Sequence, residues 1–147
     1  MLKTFLFILL AVTIEAKEYK VVFDCSSGDM GYLKSRMWLI GKTVDMFKDN
    51  GDTLKTVLTM HGQCAKLASE DLEFYVDEQQ KKKALQAQKY LLQLLKKDKA
   101  KVYVCAMSLD ANEIEAESIL PKIKISKNSF IQTIKYQNKG YALMTFK

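Results

Sequence analysis

The sequence predicts an α/β domain: a three-layer α/β/α sandwich around a mainly parallel five-stranded sheet. Three observations carry this. Short β-branched and aromatic runs alternate with helical patterns along the whole chain. The composition, 48% hydrophobic and 27% charged with 6 Gly and 1 Pro in 147 residues, suits one domain with a full core and leaves little room for linkers. Strand–helix alternation of this kind predicts a parallel sheet covered on both faces.

The first sixteen residues read differently from the rest. Met1-Leu2-Lys3 is a short basic start, Phe5 to Ile14 is apolar apart from Thr13, and Ala16 closes the run. A basic start, an apolar stretch and a small residue are the marks of a cleavable secretory signal. The stretch is shorter than the roughly 20 residues that span a hydrocarbon core. The expected division is a signal peptide over 1–16 and a single domain over 17–147, periplasmic or otherwise exported, with no stable membrane anchor after cleavage.

The mature chain opens with Tyr19 to Phe23 as a strand, which runs into a polar turn, Asp24-Cys25-Ser26-Ser27-Gly28-Asp29. Leu33, Met37, Ile40, Val44 and Phe47 then recur at steps of three and four, a helix from about Gly31 to Lys48 stopped by Asn50-Gly51. Thr53 to Met60 reads as the second strand and ends at His61-Gly62-Gln63-Cys64. From Asp77 to Lys97 the pattern is helical, with Ala84, Ala87, Leu91 and Leu95 along one face, acids at its start and lysines at its end. Lys101 to Val104 is the third strand, closed by Cys105. A short helical segment is expected around Asn112 to Ser118, ended by Pro121. Ile123 to Ile125 is the fourth strand. Phe130, Ile131 and Ile134 mark the last helix, stopped near Gly140, and Tyr141 to Phe146 is the fifth strand.

The net charge is +6. The lysine clusters Lys81-Lys82-Lys83 and Lys96-Lys97-Asp98-Lys99 sit at the two ends of one helix. No aromatic residues interleave with them as a single-strand nucleic-acid groove requires, so they read as a solvated face and no nucleic-acid partner is expected.

Ligands of an open parallel sheet bind beyond the carboxyl ends of its strands. By the strand assignments all three cysteines, Cys25, Cys64 and Cys105, fall at that edge, together with His61, the only histidine. Cys105 leaves a strand and faces a helix start, where backbone N–H groups stabilise a thiolate. A thiolate serves sulfur transfer, metal binding or redox exchange; the alternative is a buried cysteine acting as a small hydrophobe. In an oxidising compartment two of the three cysteines could pair and leave one thiol, and the sequence does not say which two. Asp24, Cys25, His61, Cys64 and Met107 are the candidate lining of a pocket at this edge. The loop from Asp24 to Asp29 has too little glycine for a phosphate cradle. The soft donors Cys25, Met60, His61, Cys64, Cys105 and Met107 lack metal-ligand spacing, so neither a metal nor another cofactor is expected.

The segment Val102-Tyr103-Val104-Cys105-Ala106-Met107-Ser108-Leu109, followed by Ile114, resembles the strand, cysteine and helix of the DsrE/DsrF-like (YchN-like fold) family. His61-Gly62 after the second strand and Gly140-Tyr141-Ala142 at the last strand agree with it. The resemblance runs from about Tyr19 to Phe146. It implies a parallel five-stranded sheet, homo-oligomers and, for some members, sulfur relay between donor and acceptor proteins. Cys105 is the one functional residue it carries over, as the sulfur-accepting thiol of a persulfide. The relay members that this chain resembles are cytoplasmic, whereas this chain carries an export signal. The function expected is therefore exported sulfur handling by a sulfurtransferase-like carrier. The alternative is a non-catalytic module that binds a small ligand or metal at the same strand-end pocket.

Overall fold

The computed structural model describes residues 15–147. The apolar run read as a signal lies outside the described residues. Five strands form one sheet, β1 (Glu18–Cys25), β2 (Thr53–Met60), β3 (Lys101–Cys105), β4 (Ile123–Ser126) and β5 (Ala142–Phe146). Their order is β4-β3-β2-β1-β5, and every pairing is parallel. The helices are α1 (Met30–Asp49), α2 (Glu78–Lys96), α3 (Ala106–Ala111) and α4 (Ser129–Gln137), with 3₁₀ turns at Gly62–Ala68, Leu72–Phe74 and Ala116–Ser118. Among the described residues no helix is long and apolar enough to cross a membrane.

The two faces of the sheet are covered unequally. One face packs on α1 and α2, as their apolar periodicity demands: Leu33, Met37, Ile40 and Val44 of α1 and Ala84, Ala87, Leu91 and Leu94 of α2 are buried. They join Val21, Phe23, Leu58, Met60, Val102 and Val104 in one large core. The strand residues between these point the other way. There Val22 and Val57 meet Tyr136 of α4, with Tyr103 and Tyr141 packed beside them. The chain steps outward from β1 to β4 with α1 and α2 on the first face. It then returns through α4, on the second face, to place β5 beside β1. Reversing direction across a sheet while keeping right-handed crossovers puts the connecting helix on the opposite face.

One expectation is corrected, and a second element holds a surprise. The helix placed around Asn112 to Ser118 lies earlier: α3 begins directly after Cys105 and stops at Ala111. Asn112 ends it, Glu113 takes a positive φ of 56°, and only the 3₁₀ turn Ala116–Ser118 follows. The last helix is where Phe130, Ile131 and Ile134 place it, but those side chains face solvent, at 64%, 38% and 58% exposure. Its buried residues are Ser129 and Tyr136. The lysine clusters at the ends of α2 are on the surface, where Lys81 pairs with Glu78 and Lys97 with Asp45.

Candidate functional site

All three cysteines lie at the carboxyl edge of the sheet, as expected, but on different faces. Cys25 ends β1 on the face of α1 and α2, and Cys64 sits in the 3₁₀ turn beyond β2. Both are fully buried in the main core and are joined as a disulfide with Cα atoms 5.9 Å apart. Cys105 follows Tyr103 on the α4 face and is a free thiol, 5% exposed. The soft donors are thus not gathered: two sulfurs are bonded to each other, Met60 is buried in the core and Met107 is 63% exposed. Among the described residues no three His, Cys, Asp or Glu side chains converge on one point.

The surroundings of Cys105 follow from register. Cys105 pairs with Ser126 of β4, three residues before α4 begins, so the start of α4 comes alongside it. The first N–H groups of a helix have no partner within it. Asn128 caps α4 by accepting from the Phe130 N–H at 2.8 Å, which leaves the Ser129 N–H free to face the sulfur. From the other side come the N–H groups of Met107 and Ser108 at the start of α3, and the Ser108 hydroxyl. Cys105 forms no formal side-chain cap on α3. Burial pushes the Cys105 thiol up, but these four donors outweigh it and hold it below the ordinary thiol range.

Ser108 is oriented for this task by the turn after β2. The Gly62 N–H donates to Ser108 Oγ at 2.9 Å, and Asn112 Nδ2 donates to the Gly62 carbonyl at 3.1 Å and the Ser108 carbonyl at 2.7 Å. A serine hydroxyl has one proton to give. With Oγ held as acceptor by Gly62, that proton is available to the sulfur. Gly62 has φ +51°, and a Cβ there would lie 3.2 Å from the Ser26 carbonyl oxygen, so the turn needs glycine.

Asp24 and His61 are brought together on the same face. His61 Nε2 lies 3.1 Å from Asp24 Oδ2, and Thr59 Oγ1 donates to Asp24 Oδ1 at 2.6 Å. Burial pushes the Asp24 carboxyl up, yet the bonds from His61 and Thr59 prevail and leave it below the usual carboxylate range. His61 follows Met60, the last β2 residue paired with β3, and Cys105 follows its partner Val104. The remaining candidate, Met107, is reached by Asn128 Nδ2 at 4.0 Å.

A cavity on this part of the molecule, about 130 Å³, lies on the α1 side between Gly28, Gln63, Lys66, Tyr75 and Gln80. It is lined by none of Asp24, His61 and Cys105, and small-ligand sites are usually larger, about 300–1,000 Å³. Sequence reasoning missed Ser108, Ser129, Gly62 and Asn112. The legible signal was Asn128-Ser129, an N-cap residue one step before a helix.

Comparison with known proteins gives three findings. A protein of Aquifex aeolicus (strain VF5), itself described as uncharacterized, is 32% identical over 146 residues, 99% of this chain; the chain spans 64% of that protein's length. The structure of MTH1491, a protein of unknown function from Methanobacterium thermoautotrophicum, superposes with a TM-score of 0.63 at 15% identity, covering 87% of this chain and 99% of that one, a likeness of fold. A sequence profile of the DsrE/DsrF-like family matches residues 20–146. With a family profile covering nearly all of the described domain, this chain belongs to the DsrE/DsrF-like family.

Proposed function

We propose that this protein is an exported sulfur carrier that accepts sulfur on Cys105 and hands it to a partner. The observation that carries the reading is the place of the one free thiol among the described residues: Cys105 ends β3 where α3 and α4 begin, beside the Ser108 hydroxyl and the N–H groups of Met107, Ser108 and Ser129 that lower its pKa. Such donors favour the thiolate, the form that attacks sulfane sulfur. With thiosulfate as donor, the Cys105 thiolate attacks the outer sulfur, the S–S bond breaks, and sulfite leaves with the electron pair. The product is a Cys105 persulfide, whose terminal sulfur carries the negative charge into the same donors. An acceptor thiolate then attacks that terminal sulfur, the persulfide bond breaks, and the Cys105 thiolate is regenerated. Asp24 and His61 shape the surface beside the thiol.

Mass spectrometry after treatment with polysulfide or thiosulfate tests this. A gain of one sulfur should map to Cys105 and vanish in Cys105→Ser, whose side chain is close in size. Uptake at another residue, or none at all, contradicts the reading. No uptake would favour the ligand-binding alternative.

Export is part of the proposal. It is supported by the sequence of residues 1–16 and by the Cys25–Cys64 disulfide, since such bonds persist in oxidising compartments. Protein isolated from its native host should begin near Lys17, and a mature protein retaining Met1 would contradict it. Self-association, implied by the family resemblance, completes the proposal: light scattering should give at least two protomers, and a monomer would count against it.

A further inference from the structure

α4 is built inside out. Its sheet-facing side carries Ser129 and Tyr136, with Gln132 and Thr133 half-buried, while Phe130, Ile131 and Ile134 face solvent. Amphipathic helices of a globular domain place the apolar stripe on the core. An outward stripe, one residue wide at Phe130 and Ile134 and flanked by Ile131, marks an interaction surface. It starts at the candidate site. Ser129, whose N–H faces the Cys105 sulfur, directly precedes Phe130, and the exposed Met107 lies against Asn128 at the same end.

The segment that carries this stripe bears charge of one sign. From Ser118 to the last residue there is no Asp or Glu, whereas Lys122, Lys124, Lys127, Lys135, Lys139 and Lys147 are all present and all exposed. The preceding 117 residues hold 17 basic and 17 acidic side chains, so the whole net charge of +6 belongs to the segment β4–α4–β5.

We propose that the outer face of α4 and the β4–α4 turn dock an acidic partner protein, which presents its sulfur-donating or sulfur-accepting thiol to Cys105. This rests on the sulfur-carrier reading. Charge selects the occupant. A second copy would set one lysine field against another, which costs free energy across an interface. Carboxylates on a partner would pair with the lysine rim while apolar side chains cover Phe130 and Ile134. An anionic bilayer matches the charge too, but it brings no thiol to the end of the stripe where Cys105 lies.

The test uses the full mature protein, loaded to completion with polysulfide. Two short thiol peptides are compared: a glutamate-rich one with leucines beside its cysteine, and the same peptide with lysine in place of glutamate. Transfer of the terminal sulfur to the acidic peptide should be about tenfold faster at low salt, the scale of electrostatic steering. The difference should close at about 1 M salt, where the screening length falls to about 3 Å. It should also close in the triple variant Lys124→Gln, Lys127→Gln, Lys135→Gln, while transfer to dithiothreitol, an uncharged thiol, stays unchanged.

Equal rates for the two peptides, or a difference that survives in the triple variant, overturn the docking surface. Flotation of the wild type, but not of Phe130→Ser, on phosphatidylglycerol vesicles would assign the face to a membrane and overturn it. A drop in oligomer mass in Phe130→Ser would assign it to a second copy, with the same result. If Cys105 does not load, the sulfur-carrier reading falls instead. Fluorescence anisotropy of the labelled peptides on unloaded protein then decides the surface alone: lysine-dependent binding of the acidic peptide upholds it, and equal binding of both overturns it.

Discussion

The carboxyl edge of the sheet presents cysteine in two opposite settings. On the α1 and α2 side, Cys25 and Cys64 are fully buried among apolar side chains and spend their sulfurs on a cross-link between residues 39 apart in sequence. On the α4 side, Cys105 is a free thiol whose pKa is lowered by the Ser108 hydroxyl and nearby backbone N–H groups. The two settings meet in one turn. His61 and Gly62 lie just before Cys64, so the segment that the disulfide ties down also holds Ser108 in place and carries the histidine bonded to Asp24. One face fixes the turn, and the other uses it. The same residue type is cross-linked in the apolar core on one side of the sheet edge and left as a free thiol among polar groups on the other.

Breaking the cross-link should give the largest effect. The double variant Cys25→Ser, Cys64→Ser should lose about 2–4 kcal/mol of stability in denaturant unfolding, the range for a closed loop of this length. Persulfide formation on Cys105 should survive in the folded protein. A double variant as stable as the parent would mean that the bond does not hold the native turn, and loss of sulfur uptake would join the two settings more tightly than argued.

A smaller effect sharpens the link between them. Gly62→Ala forces a left-handed residue to carry a Cβ toward the Ser26 carbonyl, which should cost about 1–2 kcal/mol. The displaced turn also loosens the Gly62 N–H from Ser108 Oγ, so Cys105 should alkylate more slowly at neutral pH. Unchanged alkylation in a destabilised variant would show that Ser108 keeps its orientation without the turn.

Much of this architecture was legible in the sequence. The five strands and the helices α1, α2 and α4 follow from periodicity, and β2 was bounded correctly from its flanking turns. What failed did so for physical reasons. Six residues of α3 are fewer than two helical turns, too short for an apolar period, and the break at Glu113 depends on a backbone conformation no residue type announces. Phe130, Ile131 and Ile134 give the period of α4 but not the face that is buried, because periodicity is blind to which side meets the sheet. The cysteine pairing depends on three-dimensional approach, and residues such as Ser108 and Asn112 act through hydrogen bonds that composition cannot show.

If the groups beside Cys105 favour its thiolate, the pH dependence of its alkylation by iodoacetamide will show it. With Cys25 and Cys64 joined, Cys105 is the one thiol among the described residues that can react. Because its folded pKa is depressed, the thiolate persists below the pH at which an unfolded cysteine ionises. The stability this adds is full above the unfolded value of about 8.5 and is lost as pH falls through the lower folded value. The rate should reach half its plateau below pH about 8.5 in the native protein, and Ser108→Ala, which removes the hydroxyl, should move that midpoint upward. A native midpoint at or above the value of a free cysteine, unmoved by Ser108→Ala, would contradict the account.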